Sequence, residues 1–312
     1  MKGLLLKQPW MGPFAALVAL WVFFAVRAPG FASAANAATM ARQTTVVAIC
    51  SVGMTLVIVS GGIDLSVGSA VAFTTVVVAA TLKAGLSPVI AVLAGVAVAA
   101  FSGALSGALV AYVRMAPFIV TLGAMSILRG GAKGLAGEQK IDCDPRGIDS
   151  LLAPSSGVLL PAGVWIAVLL GVAGALALRY TRFGRHVNAL GSNEATALVC
   201  GVDVPRVKLL VYALAGALTG IAGIMEFSRL TVGDPTDSIG LELEVIAAVV
   251  VGGASLSGGE GTVVGSLVGA VLMAVIRTGC TFLGVHNWVQ EIVTGGIIVM
   301  AVALDRFRHR AT

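Results

Sequence analysis

The sequence predicts an all-α membrane protein, a polytopic bundle of about ten transmembrane helices. Of its 312 residues, 58% are hydrophobic and only 11% are charged, and the mean hydropathy is +1.00. Soluble domains carry about 25% charged residues, so the composition excludes a water-soluble globule. A transmembrane helix needs about 20 mostly apolar residues, which leaves little chain for anything else. The 40 glycines fit this class, because small residues let membrane helices approach closely.

Charge and motif patterns exclude several classes of function. The net charge of +5 comes from Lys and Arg at the ends of apolar segments rather than on one face, so no nucleic-acid partner is expected. No glycine loop of the GxxxxGK[ST] type occurs, so the chain is not expected to bind ATP in that way. Neither a metal site nor a catalytic site is predicted, because the candidate side chains are scattered along the sequence: Cys50, Cys143, Cys200, Cys280, His186, His286 and His309.

The apolar segments define the predicted spans. The run Trp10–Val26 lies between Lys7 and Arg27 and is interpreted as a retained first span, with a cleaved signal peptide as the alternative. The segment 243–256 is short enough to be a tilted or broken helix. The later spans are expected near 43–60, 64–82, 88–112, 116–133, 161–178, 208–227, 243–256, 262–285 and 288–304.

The basic residues predict the orientation of the chain. Ten spans with both termini in the cytoplasm place most loop arginines and lysines inside, as the positive-inside rule requires. The outward loops 134–161 and 228–242 are then acidic and rich in Gly, Pro, Asp and Ser. The inward basic residues are Lys2, Lys7, Arg114, Arg179, Arg182, Arg185, Arg206, Lys208, Arg306, Arg308 and Arg310.

Two glycine-rich turns resemble each other and both are predicted to face the cytoplasm. Their glycines permit tight backbone reversal, and Asp64 or Ser66 is expected to cap the helix that follows the first turn. An internal duplication and chance similarity in a Gly- and Val-rich sequence both account for the likeness. The residues of the two turns are Gly61, Gly62, Asp64, Ser66 and Gly68, and Gly258, Gly259 and Gly261.

The segment 179–208 is the one long polar interruption with dense positive charge. Within it the sequence predicts a short helix, with Asn193 as N-cap, Glu194 in the first turn and Gly201 as the stop. About two turns of helix do not hold together alone in water. Two interpretations remain open, docking into a groove on another protein and resting on the membrane surface. The expected apolar face is Ala195, Leu198, Val199 and Val202.

Few ionisable groups fall near or within the spans. Asp64, Glu226, Arg277 and Glu291 are the nearest, and such groups usually face a bundle interior or a cavity. We expect Glu226 to pair with Arg229, and Arg277 to pair with Glu291 on the neighbouring span.

Five segments together resemble the membrane permease of bacterial sugar importers of the ATP-binding cassette (ABC) class, of the ribose, xylose and allose type. The similarity extends over nearly the whole chain from about residue 40. The GGIDLSVGS form at 61–69 favours this sugar branch over the branched-chain amino-acid permeases of the same superfamily. The segments are 60–73 (SGGIDLSVGSAVAF), 117–132 (PFIVTLGAMSILRGGA), 184–202 (GRHVNALGSNEATALVCGV), 209–224 and 249–270.

The resemblance implies a function and a set of partners. Residues 1–312 would be one permease domain of the vitamin-B12-permease-like kind in the bacterial inner membrane, with 179–208 as its cytoplasmic coupling loop. Two permease copies would form the path for a monosaccharide, and two cytoplasmic ATPase subunits carrying ATP-Mg would drive alternating access. An extracytoplasmic sugar-binding protein would deliver the cargo to the outward loops. The residues implied to contact the ATPase are Gly191, Asn193, Glu194, Ala195, Leu198, Val199 and Gly201.

The substrate path is the least marked feature of the sequence. The spans contain few aromatic residues, and most of these are expected to pack or to anchor the chain at the membrane interface. Phe118 and Thr121 are the predicted path contacts. A branched-chain amino-acid permease and a stand-alone secondary carrier or channel remain the alternatives, and the sequence does not identify the sugar.

Overall fold

The computed structural model describes residues 10–153 and 160–310, apart from the side chains of 301 and 304–310. These residues form an all-α bundle, which confirms the predicted fold class. A single 3-10 turn, Ile148–Leu151, and two very short strands, β1 (Ile141–Asp142) and β2 (Val232–Gly233), join the helices. The helices are α1 Met11–Arg27, α2 Ala34–Val59, α3 Val67–Lys83, α4 Pro88–Ala111, α5 Pro117–Ala136, α6 Ala162–Tyr180, α7 Arg182–Ser192, α8 Glu194–Val199, α9 Val204–Leu230, α10 Leu241–Val251, α11 Val263–Phe282 and α12 Asn287–Arg310.

A helix lies at every predicted span, although the spans differ in length. By length and composition, α2, α4, α6, α9 and α11 are able to cross a membrane. The helix α10 has 11 residues and is about 16 Å long, too short for a hydrocarbon core of about 30 Å, as the sequence indicated. The helix α2 begins well before the predicted residue 43, because Ser33 accepts a hydrogen bond from the backbone N–H of Asn36 and caps it. Lys2 and Lys7 lie outside the described residues.

The centre of the bundle is the contact between α4 and α9, where glycines replace side chains. A Cβ atom on Gly216 of α9 would collide with the backbone carbonyl of Ala99 and lie 3.1 Å from the Cα of Gly103. One turn further along α9, a Cβ on Gly220 would lie 2.8 Å from the Cα of Val96. The two backbones are therefore in van der Waals contact, the arrangement that small residues allow in membranes.

The helix α10 starts inside the bundle, beside α3, rather than at one of its ends. The non-helical segment 231–240 enters alongside α3, where Gly233 packs against Val76. Further along the same helix, Gly68 packs against Ser238 and Leu241, so α10 begins beside the first turn of α3. We call 231–240 the re-entrant segment. Its depth explains why α10 needs only 11 residues to reach the other end of the bundle.

The end of the bundle opposite α8 is formed by the two acidic loops. Strands β1 and β2 pair antiparallel, with Ile141 opposite Gly233. The Lys140 ammonium lies 3.0 Å from the Asp234 carboxylate. Thr236 also donates two hydrogen bonds to the Asp234 carboxylate, 2.8 Å from its backbone N–H and 2.7 Å from its hydroxyl. These contacts join the two loops into one surface.

One predicted ion pair is confirmed and one is wrong. Glu226 pairs with Arg229 one turn away on α9, as expected. Arg277 of α11 instead binds Glu244 of α10, with 2.7 Å between nitrogen and oxygen, and Glu291 lies exposed on α12. The re-entrant segment brings the first turn of α10 beside α11. Glu244 is nearly buried there, so its carboxylate needs a cationic partner more than the exposed Glu291 does.

The α4–α9 contact makes a stability prediction. We expect Gly216→Ala to destabilise the protein by about 1–3 kcal/mol, because the added methyl group must push two backbones apart. Thermal unfolding of the detergent-purified protein measures the change. Gly295→Ala on α12 is the matched control, because a Cβ there meets nothing within 4 Å. Equal melting temperatures for the two variants would contradict the described packing.

Candidate coupling site

The short helix α8 forms with both predicted caps. The Asn193 side chain accepts a hydrogen bond of 2.8 Å from the backbone N–H of Thr196, which satisfies one of the free donors at the start of the helix. At the other end Gly201 has a φ of +84°, in the left-handed region that glycine adopts without strain. The N–H of Val202 then bonds the carbonyl of Ala197, which closes the last turn.

The exposed face of α8 is apolar. Leu198 and Val199 are 61% and 88% exposed, whereas Ala197 faces the bundle and is buried. The prediction that Val202 belongs to the exposed face is wrong, because the reversal at Gly201 turns Val202 inward. Ala195 is exposed, as expected. Two large, exposed apolar side chains at the end of a membrane bundle are typical of an interaction surface.

A salt bridge fixes α8 against the following helix. The Glu194 carboxylate accepts two hydrogen bonds, each 2.8 Å long, from the ammonium of Lys208 in α9. Exposed ion pairs contribute little to stability, so the effect of this pair is chiefly to orient the helix.

Gly191, just before α8, lies in contact with both glycine-rich turns. A Cβ on Gly191 would collide with the carbonyl oxygen of Val59, the last residue of α2. The N–H of Gly259 donates to that same oxygen at 2.9 Å. A Cβ on Gly258 would lie 3.0 Å from the Cα of Gly61 and 2.8 Å from the carbonyl oxygen of Gly191. We call Gly61, Gly191, Gly258 and Gly259 the glycine junction.

The other predicted turn residues support the junction. Asp64 accepts hydrogen bonds from the backbone N–H of Ser66 at 2.8 Å and from its hydroxyl at 2.6 Å, so Asp64 organises the start of α3. The side chain of Ser66 makes no cap of its own. Gly62 lies directly against the Tyr212 hydroxyl, and Gly261 packs against Val59.

A cleft of about 390 Å³ lies beside the junction. Its lining combines backbone of the junction with polar and charged side chains of α8 and α9 and a few apolar ones. Among the described residues, no group of three or more metal-ligating side chains is present. The lining includes Gly61, Gly191, Asn193, Glu194, Lys208 and Tyr212.

The two predicted path residues are one turn apart on α5 and differ in exposure. Phe118 is about half exposed. Thr121 is fully buried, and its single hydroxyl proton is shared between the carbonyls of Ile63 at 3.1 Å and Pro117 at 3.0 Å. Thr121 therefore holds α5 against the first glycine turn.

A polytopic helix bundle that presents a short capped helix at one end has the architecture of a membrane transport component. Residues 36–302 match the family described as branched-chain amino acid transport system / permease component. The chain belongs to this family of permease components. No solved structure matches it.

Several curated relatives are named as permeases for sugars. The chain is 39% identical to the ribose import permease protein RbsC of Escherichia coli K12, over 96% of this chain and 95% of that protein. It is 38% identical to the protein of the same name from Bacillus subtilis strain 168, over 95% and 92%. It is 35% identical to the L-arabinose ABC transporter permease protein AraH of Azospirillum brasilense, over 93% and 85%.

The cap of α8 can be tested by hydrogen exchange. We expect Asn193→Ala to cost about 1 kcal/mol of local stability, which is about a fivefold faster exchange of the Thr196 amide. Asn193→Asp keeps an accepting oxygen and is the control. Unchanged exchange in the alanine variant would contradict the cap.

Proposed function

We propose that the chain is the permease subunit of an ABC importer that carries a monosaccharide into the cytoplasm, driven by a separate ATPase. The names of the relatives support a sugar rather than a branched-chain amino acid, although the family description mentions the latter. ATP-Mg would be bound by the ATPase, and this chain would hold no cofactor. A stand-alone carrier or channel is the alternative, but it has no need of α8.

The exposed apolar face of α8 carries the proposal. An apolar helix face at this position fits a groove on a cytoplasmic ATPase subunit, where Leu198 and Val199 would be buried. The salt bridge between Glu194 and Lys208 holds the helix in one orientation before docking, which lowers the entropy lost on binding.

The glycine junction would pass the motion of α8 into the bundle. Long side chains change rotamer and absorb small displacements, but backbone atoms in direct contact transmit them. A shift of α8 therefore moves the α2–α3 turn and the α10–α11 turn together. If these two turns switch together between two packed arrangements, the bundle would open alternately to the two sides of the membrane, which is alternating access.

The partners and orientation follow from this assignment. The α8 end and both termini would lie in the cytoplasm of a bacterium, with the bundle in the inner membrane. The surface joined by β1 and β2 would face outward and receive a sugar-binding protein, whose basic residues would meet the acidic loops. A second permease copy would complete the path.

Docking of α8 is tested by a single charge. We expect Leu198→Asp to weaken binding of the partner ATPase by about 2 kcal/mol or more, roughly thirtyfold, because a buried anchor becomes a desolvated carboxylate. Val113→Asp is the control, since Val113 is equally exposed (62% against 61%) in the α4–α5 connection. Co-purification and titration of ATPase measure the effect. Equal binding by both variants would exclude α8 as the dock.

The junction is tested separately from docking. We expect Gly191→Ala to reduce ATP-driven uptake of ribose or arabinose in proteoliposomes even at ATPase concentrations that saturate binding, because the added methyl group separates α7 from the two turns. We expect the added methyl group to destabilise the packing of the junction by about 1–3 kcal/mol. This corresponds to roughly a fivefold to hundredfold decrease in the population in which the junction is correctly packed. Gly134→Ala on α5 is the control, because a Cβ there meets nothing within 4 Å. Normal uptake by the Gly191 variant would show that the junction transmits nothing.

A further inference from the structure

One side of the bundle combines an exposed stripe of α5 with the re-entrant segment. The stripe follows helical spacing, so its residues share a face: Phe118, Leu122, Ser126 and Arg129. Beside it the chain from the end of the re-entrant segment into α10 is exposed at Thr236, Ile239 and Leu243. We call these seven residues the path face.

Contacts with α5 place the re-entrant segment alongside the helix that occupies the predicted span 116–133. Arg129 lies twelve residues from the start of α5, about 18 Å along a helix of 20 residues. Its guanidinium donates to the carbonyls of Pro235 at 2.9 Å and Asp237 at 2.7 Å. The irregular backbone at 235–237 therefore lies within the length of α5 and not beyond its end.

The path face and the irregular backbone beside it are not stable in contact with the hydrocarbon of a membrane. Irregular backbone does not face lipid within a membrane, and it is tolerated there only when protein covers it or water reaches it. Partly exposed ionisable groups obey the same rule, and both Arg129 and Glu242 are only partly buried here. The outer faces of α4 and α6 differ, because they expose only apolar side chains through the middle of the helix, such as Phe101 and Leu169.

We infer that the path face lines the water-filled route through which the sugar crosses the membrane. This inference rests on the proposed function. The face offers what a neutral polyhydroxylated solute needs for weak contact: hydroxyl oxygens of Ser126 and Thr236 that accept hydrogen bonds, and apolar patches at Phe118, Leu122 and Ile239. The protons of the two hydroxyls are donated within the chain, to the carbonyl of Leu122 and the carboxylate of Asp234. Arg129 is engaged by two carbonyls, so it holds the wall in place instead of binding the solute tightly.

Cysteine accessibility tests the inference without requiring transport. Ser126→Cys, Ile239→Cys and Phe101→Cys are introduced singly into a chain whose four native cysteines are replaced by alanine, and the complex with its ATPase is placed in lipid nanodiscs. A charged methanethiosulfonate reagent then reaches both ends of the bundle. Phe101 is the matched control, because it is as exposed as Ile239 (71% against 76%) and lies near the middle of α4.

We expect the cysteines at positions 126 and 239 to react at least about tenfold faster than the one at 101, because the cysteine thiolate attacks the reagent and displaces methanesulfinate, and a thiol in hydrocarbon does not ionise. Sugar at saturating concentration should slow the reaction at 126 and 239 and leave 101 unchanged. Rates at 126 and 239 as slow as at 101 would overturn the inference. If such variants still import sugar, the proposed function survives. Fast labelling in a complex that imports no sugar would confirm a water-filled face and refute the sugar importer instead.

Discussion

The constraint on which the structure depends is the meeting of three backbone segments with no side chain between them. Gly191, the carbonyl of Val59 and the Gly258–Gly259 turn occupy a space in which a single methyl group does not fit. The contact ties the end of α7 to two turns that are far apart in sequence, and each turn leads into a helix of the bundle. The position of α8 is therefore set by the bundle itself, although α8 is too short to be stable alone.

The sequence predicted the helices and the caps of α8 because those signals are local. Apolar run length, Asn193 and Gly201 act on residues a few positions away. The sequence marked Gly61, Gly258 and Gly259 as turn residues and the resemblance marked Gly191, but it did not predict that they meet, because the junction depends on contacts between residues more than 60 positions apart. The Glu244–Arg277 pair was missed for the same reason, since the depth of the re-entrant segment decides which carboxylate is buried. Val202 was assigned to the wrong face of α8 because the helical periodicity of side chains does not continue past Gly201, which has a left-handed backbone conformation.

The two sides of the bundle reflect different surroundings. The α4 and α6 faces are smooth and apolar, as lipid requires. The α5 side bears a broken backbone, an arginine and hydroxyl groups, features that a membrane protein retains only where water or protein meets them. The junction lies at one end of this irregular side, since the hydroxyl of Thr121 on α5 and that of Tyr212 both approach the carbonyl of Ile63 in the first glycine turn. A movement of the junction thus reaches the path face through a few direct contacts.

Spin-label distances test the central claim most directly. One label on the exposed native Cys200 and one on Ser257→Cys, with the other three cysteines replaced, report the separation of α8 from the α10–α11 turn within one chain. Mixing doubly labelled with unlabelled copies isolates the distance between the two labels within one chain. A second sample, labelled on Cys200 alone, reports the distance between the Cys200 residues of two copies. We expect ATP binding to the ATPase to change the distance between copies and to leave the distance within a chain unchanged. A distance within the chain that changes with ATP would contradict transmission through a rigid glycine junction.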